Sequence, residues 1–112
     1  MKKSNINFVI DLDDKNIPEK IQWDATDKPD HGPSETKSIS INLWDHAQNN
    51  TLRIDLWAKD MPVEDMKKFY VDCIGGMAQS VLSSTGDELM AREMNALCEK
   101  LSKHIMDEAK SK

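Results

Sequence analysis

Ser38-Ile39-Ser40-Ile41-Asn42-Leu43-Trp44, the polar run Asp45-His46-Ala47-Gln48-Asn49-Asn50, and Thr51-Leu52-Arg53-Ile54-Asp55-Leu56-Trp57 form the stretch that decides the fold. Ile39, Ile41 and Leu43 share one parity and Ser40 and Asn42 the other. After the turn, Leu52, Ile54 and Leu56 repeat the alternation against Arg53 and Asp55. A period of two belongs to a strand with one face toward a core. Antiparallel partners point to the same side, so a register pairing Leu43 with Leu52 also pairs Ile41 with Ile54 and Ile39 with Leu56. The expected hairpin spans about 37–44 and 51–58, with one apolar and one polar face.

Toward the N-terminus, Ile6, Phe8, Ile10 and Leu12 alternate with Asn7, Val9 and Asp11, which predicts a strand over about 5–12. Asp13-Asp14-Lys15-Asn16 reads as a turn, and Ile17, Ile21 and Trp23 share a parity, predicting a second strand over about 17–23. Between the two hairpins, residues 24–36 carry Asp27, Pro29, Asp30, Gly32, Pro33 and Ser34 and no apolar stripe. They are expected to form a mobile loop, at a length where structureless loops become uncommon.

Toward the C-terminus the period changes. Pro62 suits a first helical turn, Asp60 just ahead is a cap candidate, and Glu64 and Asp65 suit the positive helix end. Met66, Phe69, Tyr70, Cys73, Ile74, Met77 and Val81 then recur at three- and four-residue steps. A second stripe, Met90, Met94, Leu97, Cys98, Leu101 and Ile105, follows the break at Ser83-Ser84-Thr85-Gly86. Helices are expected over about 62–83 and 87–108. Folding between Thr85 and Gly86 sets Val81 level with Met90, Cys73 with Cys98, Tyr70 with Leu101 and Met66 with Ile105, as an αα-hairpin requires. The predicted architecture is one α+β domain over 1–112. A four-stranded antiparallel sheet, built from two β-hairpins, is followed by a C-terminal αα-hairpin (ββββαα) that covers one of its faces.

The totals exclude several functions. With 112 residues the chain suits one core. Twenty acids against 15 bases give a net charge of −5, and the only arginines are Arg53 and Arg92. Nucleic acid is therefore not an expected partner, because phosphate binding calls for clustered cations. Nor is membrane insertion expected, since no stretch approaches the roughly 20 apolar residues of a bilayer span. The N-terminal apolar pattern is broken too early for a secretory signal, and two cysteines suggest no disulfide framework. The expected location is the cytoplasm.

Residues that could carry chemistry are few. His31, His46 and His104 share no ligand spacing, so no metal site is expected. Asp11, Asp13 and Lys15 begin like a calcium loop, but Asn16 stands at its glycine position and Gln22 at its bidentate glutamate position. Cys73 and Cys98 read as small buried hydrophobes, with a redox pair as the sharper alternative. Gly75-Gly76 lies within the first helix and suggests a kink or a close backbone approach. No catalytic residue and no cofactor can be nominated, and no enzyme is expected.

The tryptophans carry the functional expectation. Trp44 has the parity of Ser40 and Asn42, and Trp57 that of Arg53 and Asp55, so both indoles fall on the polar face of the hairpin. A large aromatic there needs a cover, either the 24–36 loop, the N-terminal strand or a partner. Trp44, Arg53, Asp55 and Trp57 form the candidate partner interface, because Trp and Arg dominate interface hot spots.

Asp13 with Ile17-Pro18-Glu19-Lys20-Ile21 and Trp23, Leu43-Trp44-Asp45, and above all Thr51 to Trp57 followed by Lys59-Asp60-Met61-Pro62-Val63, carry a family likeness. Across nearly the whole chain the sequence resembles the gliding-motility-associated GldC family of Bacteroidetes-type bacteria. The resemblance implies a cytoplasmic accessory protein whose partner belongs to the gliding or secretion apparatus. It supplies no reaction, cofactor or catalytic residue. The order of elements is also reminiscent of the export chaperone SecB, which implies the alternative of binding unfolded or exported polypeptides. Homo-oligomerisation is compatible with each reading.

Overall fold

The computed structural model describes residues 2–111. Contacts divide the chain into two compact units, one running to Met61 and the other starting at Pro62. In the first unit, β1 (Ile6–Leu12), β2 (Pro18–Ala25) and β3 (Ser34–Thr36) form an antiparallel sheet in the order β1-β2-β3. A separate two-stranded antiparallel sheet joins β4 (Ser38–Asp45) and β5 (Asn50–Trp57). The second unit holds α1 (Val63–Thr85) and α2 (Glu88–Lys110).

The β1–β2 turn is organised by Asp13. Its Oδ1 accepts the backbone N–H groups of Lys15 (2.8 Å) and Ile17 (3.0 Å), and its own carbonyl accepts that of Asn16 (2.9 Å). Asn16 takes a left-handed φ of 63°, a conformation that Asn tolerates better than most residues. The acid-rich spacing therefore serves a turn. Among the described residues no group of three His, Cys, Asp or Glu could hold a metal.

Two expectations are corrected here. The sheet is not one layer of four strands but three strands and two. The physical reason lies at Lys37. Ser34–Thr36 pair with Ile21–Trp23, Ser38–Asp45 pair with β5, and Lys37 belongs to neither ladder. At the break, the Thr36 hydroxyl donates to the Ser38 carbonyl (3.2 Å), and the Lys37 carbonyl accepts the Ala58 N–H (2.8 Å). The second correction concerns residues 24–36, expected as a loop. Strand β2 runs on to Ala25, and the tripeptide Ser34-Glu35-Thr36 is β3. With no apolar residue, that tripeptide has no alternation to betray it; its backbone ladder alone makes it a strand.

The β4–β5 register is the one the alternation predicts: Ile39 with Leu56, Ile41 with Ile54, Leu43 with Leu52. Burial grades along it. Ile39 is buried, whereas Leu43, Leu52 and Ile54 are each about half exposed. Among the described residues, Ile21 of β2 is the one large side chain buried completely.

In the helical unit, Pro62 is the N-cap of α1 and offers no side-chain cap; Asp60, the expected cap, lies two residues ahead of it and is paired with Lys37 Nζ at 3.1 Å. Gly86 ends α1 in the left-handed conformation (φ 73°), its N–H returning to the Leu82 carbonyl. Asp87 caps α2 by accepting the Met90 N–H at 2.9 Å. Ala78 and Ala91 are the buried residues of the two helices. Cys98 Sγ lies 3.6 Å from the Val71 carbonyl and beside Gly75. The hairpin level is thus the expected one, since position 73 lies midway between 71 and 75. Cys98 lies against Val71 and Gly75, and no disulfide joins it to Cys73. The helix runs through Gly75-Gly76 unbroken, and a methyl group at either would meet nothing closer than 3.9 Å. The expected kink or close approach is therefore not what these glycines serve.

Candidate partner interface

Cross-strand neighbours on the polar face of the β4–β5 hairpin are Trp44 with Thr51, Asn42 with Arg53, Ser40 with Asp55 and Ser38 with Trp57. The indoles therefore stand at opposite ends of one face, six residues apart along the ladder or about 20 Å. Trp44 is 69% exposed and Trp57 46%.

Between them lies a polar centre. Arg53 grips Asp55 with Nε on Oδ2 (3.2 Å) and Nη2 on Oδ1 (3.1 Å), and the Ser40 hydroxyl donates to Asp55 Oδ1 (2.7 Å). The Arg53 guanidinium and then the Ser40 hydroxyl hold the Asp55 carboxyl below its ordinary value. All four residues expected at the interface thus share one face, and the arginine fork is already oriented. Orientation before binding lowers the entropy lost when a partner docks.

The third tryptophan makes a useful contrast. Trp23 is half-buried, pairs across the ladder with Phe8 and lies under Lys28, whose ammonium sits 5.2 Å from the ring centroid. Lys28 also donates to the Gly32 carbonyl, and the Thr26 N–H donates to that of Asn5 (2.9 Å). The connection after β2 therefore folds over its own strand's indole. Trp57 is flanked on one side by Ile17 and Pro18.

Sequence reasoning missed a charged cluster at the far end of the same hairpin. Lys59 Nζ bridges Asp13 (3.0 Å) and Glu19 (3.1 Å), and Lys37 Nζ bridges Asp60 (3.1 Å) and Glu35 (3.2 Å). Hydrogen bonds from Ile17, then Lys59 and Lys15, lower the Asp13 carboxyl. The two ammonium groups are raised by their acids, Lys59 first by Asp13 and Lys37 first by Asp60. Lys59 lies 46 residues from Asp13 and Lys37 lies 23 from Asp60, so no local spacing could have paired them.

Among the described residues no helix is long and apolar enough to cross a membrane. Neither the curated proteins nor the solved structures compared with this chain offer a match, so the likeness to SecB rests on the order of elements alone. The sequence model of the family described as "Gliding motility-associated protein GldC-like" matches residues 18–107, which takes in β2, β3, β4, β5 and nearly all of the helical unit. That match extends over well more than half of the sequence, and the chain belongs to the GldC-like family of gliding-motility-associated proteins.

Proposed function

We propose that this chain is a non-enzymatic accessory or assembly factor, acting in the cytoplasm, that binds a protein partner of the gliding apparatus or its secretion machinery. The observation that carries this reading is the pair of exposed indoles, Trp44 and Trp57, flanking the oriented Arg53–Asp55 pair on one strand face. Aromatic anchors around a polar centre are the composition of an interface core. Family membership directs the choice of partner toward motility.

The test is affinity capture from a gliding bacterium that makes this protein, comparing wild type with the Trp57→Ala, Arg53→Ala double variant. The expected result is recovery of a motility or secretion component by wild type and its loss from the variant. Equal recovery by both removes this face from the proposal.

A second reading is favoured by the helical unit. Tyr70, Met77, Met90 and Leu97 are all substantially exposed, and Tyr70 borders a groove with Val71, Leu101 and Ile105. An adaptable Met-rich surface of this kind suits capture of unfolded polypeptides. Suppression of aggregation of an unrelated denatured protein supports that reading. Its absence at molar excess of this chain rejects it.

A further inference from the structure

The outer edge of β5 carries an inference beyond the partner face and independent of it. Among the described residues β5 ladders with β4 alone, and β2 meets it at its far end, where the Lys59 N–H donates to the Pro18 carbonyl (3.0 Å). An unpaired edge is a template for another strand, and a two-stranded sheet is marginal without further cover. Along residues 52–56 exposure falls toward β2: Leu52 is 48%, Ile54 46% and the Arg53 side chain 53% exposed, the Asp55 side chain is 28% exposed, and Leu56 lies beside Ile17 and Pro18.

The sequence of β5 says which strand fits. Turned end over end about Ile54, Leu52-Arg53-Ile54-Asp55-Leu56 becomes its own complement. Ile54 faces Ile54 of a second copy, Leu52 faces Leu56, and Arg53 faces Asp55, each exchanged pair occurring twice across the axis. Directly opposite residues of antiparallel strands point to the same side, so apolar meets apolar on one face and acid meets base on the other. No other register does this. Centring on Arg53 or on Asp55 sets like charges opposite each other, and a one-residue slip sets charged residues against leucine and isoleucine. We infer that two copies of this chain join through antiparallel pairing of their β5 strands about Ile54, making a four-stranded sheet β4-β5-β5-β4. An isologous two-fold interface of this kind closes on itself and uses up the open edge. It also sets two copies of the tryptophan face side by side.

The Arg53–Asp55 pair within each strand complicates simple charge removal, so the test uses mixing. Arg53→Glu alone sets acid against acid across the axis, and Asp55→Arg alone sets base against base. An Arg53→Glu chain meeting an Asp55→Arg chain has an acid–base pair on both sides, while the pair within each strand stays broken. Light scattering of the full chain at roughly 100 μM populates any dimer of micromolar Kd. Across a dilution series, wild type is expected to reach twice the 12.8 kDa chain mass, and each variant alone to fall below wild type at every concentration, its self-association weakened about tenfold or more. The equimolar mixture is expected to return to the double mass. A wild type at the single mass, a variant that dimerises as tightly as wild type, or a mixture no tighter than the variants alone overturns the inference. Far-UV circular dichroism checks that both variants fold. If either does not, Ile54→Cys in a Cys73→Ser, Cys98→Ser background decides the matter. Its thiols face each other across the axis and are expected to cross-link under mild oxidation. Leu52→Cys, whose own copies lie about 13 Å apart, is expected not to cross-link; equal behaviour of the two also overturns the register.

Discussion

The β1–β2 and β4–β5 hairpins carry the same alternation of apolar and polar residues over seven or eight positions, yet they end in different environments. In the first, β3 lies along β2, and Ile21, which pairs with Thr36 of β3, is wholly buried. Its tryptophan lies under Lys28. In the second, no third strand is paired among the described residues. Leu43, Leu52 and Ile54 stay half exposed on one face while Trp44 and Trp57 stand open on the other. A period of two fixes which residues share a side; what covers that side depends on strands placed alongside by segments with no periodicity.

The sharpest way to break this comparison is to cut the same side chain from each hairpin. Ile21→Ala is expected to destabilise the chain by about 3 kcal/mol, and Ile54→Ala in dilute protein by about 1 kcal/mol, as half-exposed atoms lose less on truncation. Urea denaturation measures both, and equal losses would show that the second hairpin is covered after all. Gly76→Ala, outside either hairpin, gives a reference of opposite sign. A methyl group there enters open space in a regular helix, so stability should rise by about 0.5–1 kcal/mol.

Acid acts on both hairpins through a carboxylate, Asp13 in the β1–β2 turn and Asp55 in β5. Asp13 and Asp55 both have folded-state values below the ordinary 3.8. The unfolded chain therefore binds more protons as pH falls, so the stability these carboxylates confer is complete above about pH 4 and is lost on further acidification. Asp13→Asn should flatten the fall in melting temperature between neutral and strongly acid solution, and thermal scans against pH would reveal an unchanged slope if the Asp13 turn were irrelevant. The smallest expected effect is that of Trp44→Ala, within about 0.5 kcal/mol in monomeric protein, since an exposed ring has little burial to lose. A larger loss would mean that the indole already has a cover.

Much of this was legible in the residues, and the remainder was hidden for identifiable reasons. Alternation in 38–57 gave the register pair by pair, and helical stripes gave the hairpin level to within a residue. The placement of Trp44, Arg53, Asp55 and Trp57 on one face followed from parity alone. The break at Lys37 did not follow, because nothing in Thr36-Lys37-Ser38 forbids a continuous strand. β3 stayed hidden because Ser34-Glu35-Thr36 is entirely polar. The cysteines show the limit of counting, which gives height along a helix pair but not rotation about its axis: Cys98 lies against the Val71 carbonyl and Gly75, on either side of the level that counting assigned.

Every ladder described above, and the helical seam, joins elements that are neighbours in sequence: β1 with β2, β2 with β3, β4 with β5, α1 with α2. Closing each demands only a short loop, and loop closure is the entropic toll that slows the search for native pairings. Each hairpin can therefore zip from its own turn without waiting for a strand or helix from elsewhere in the chain.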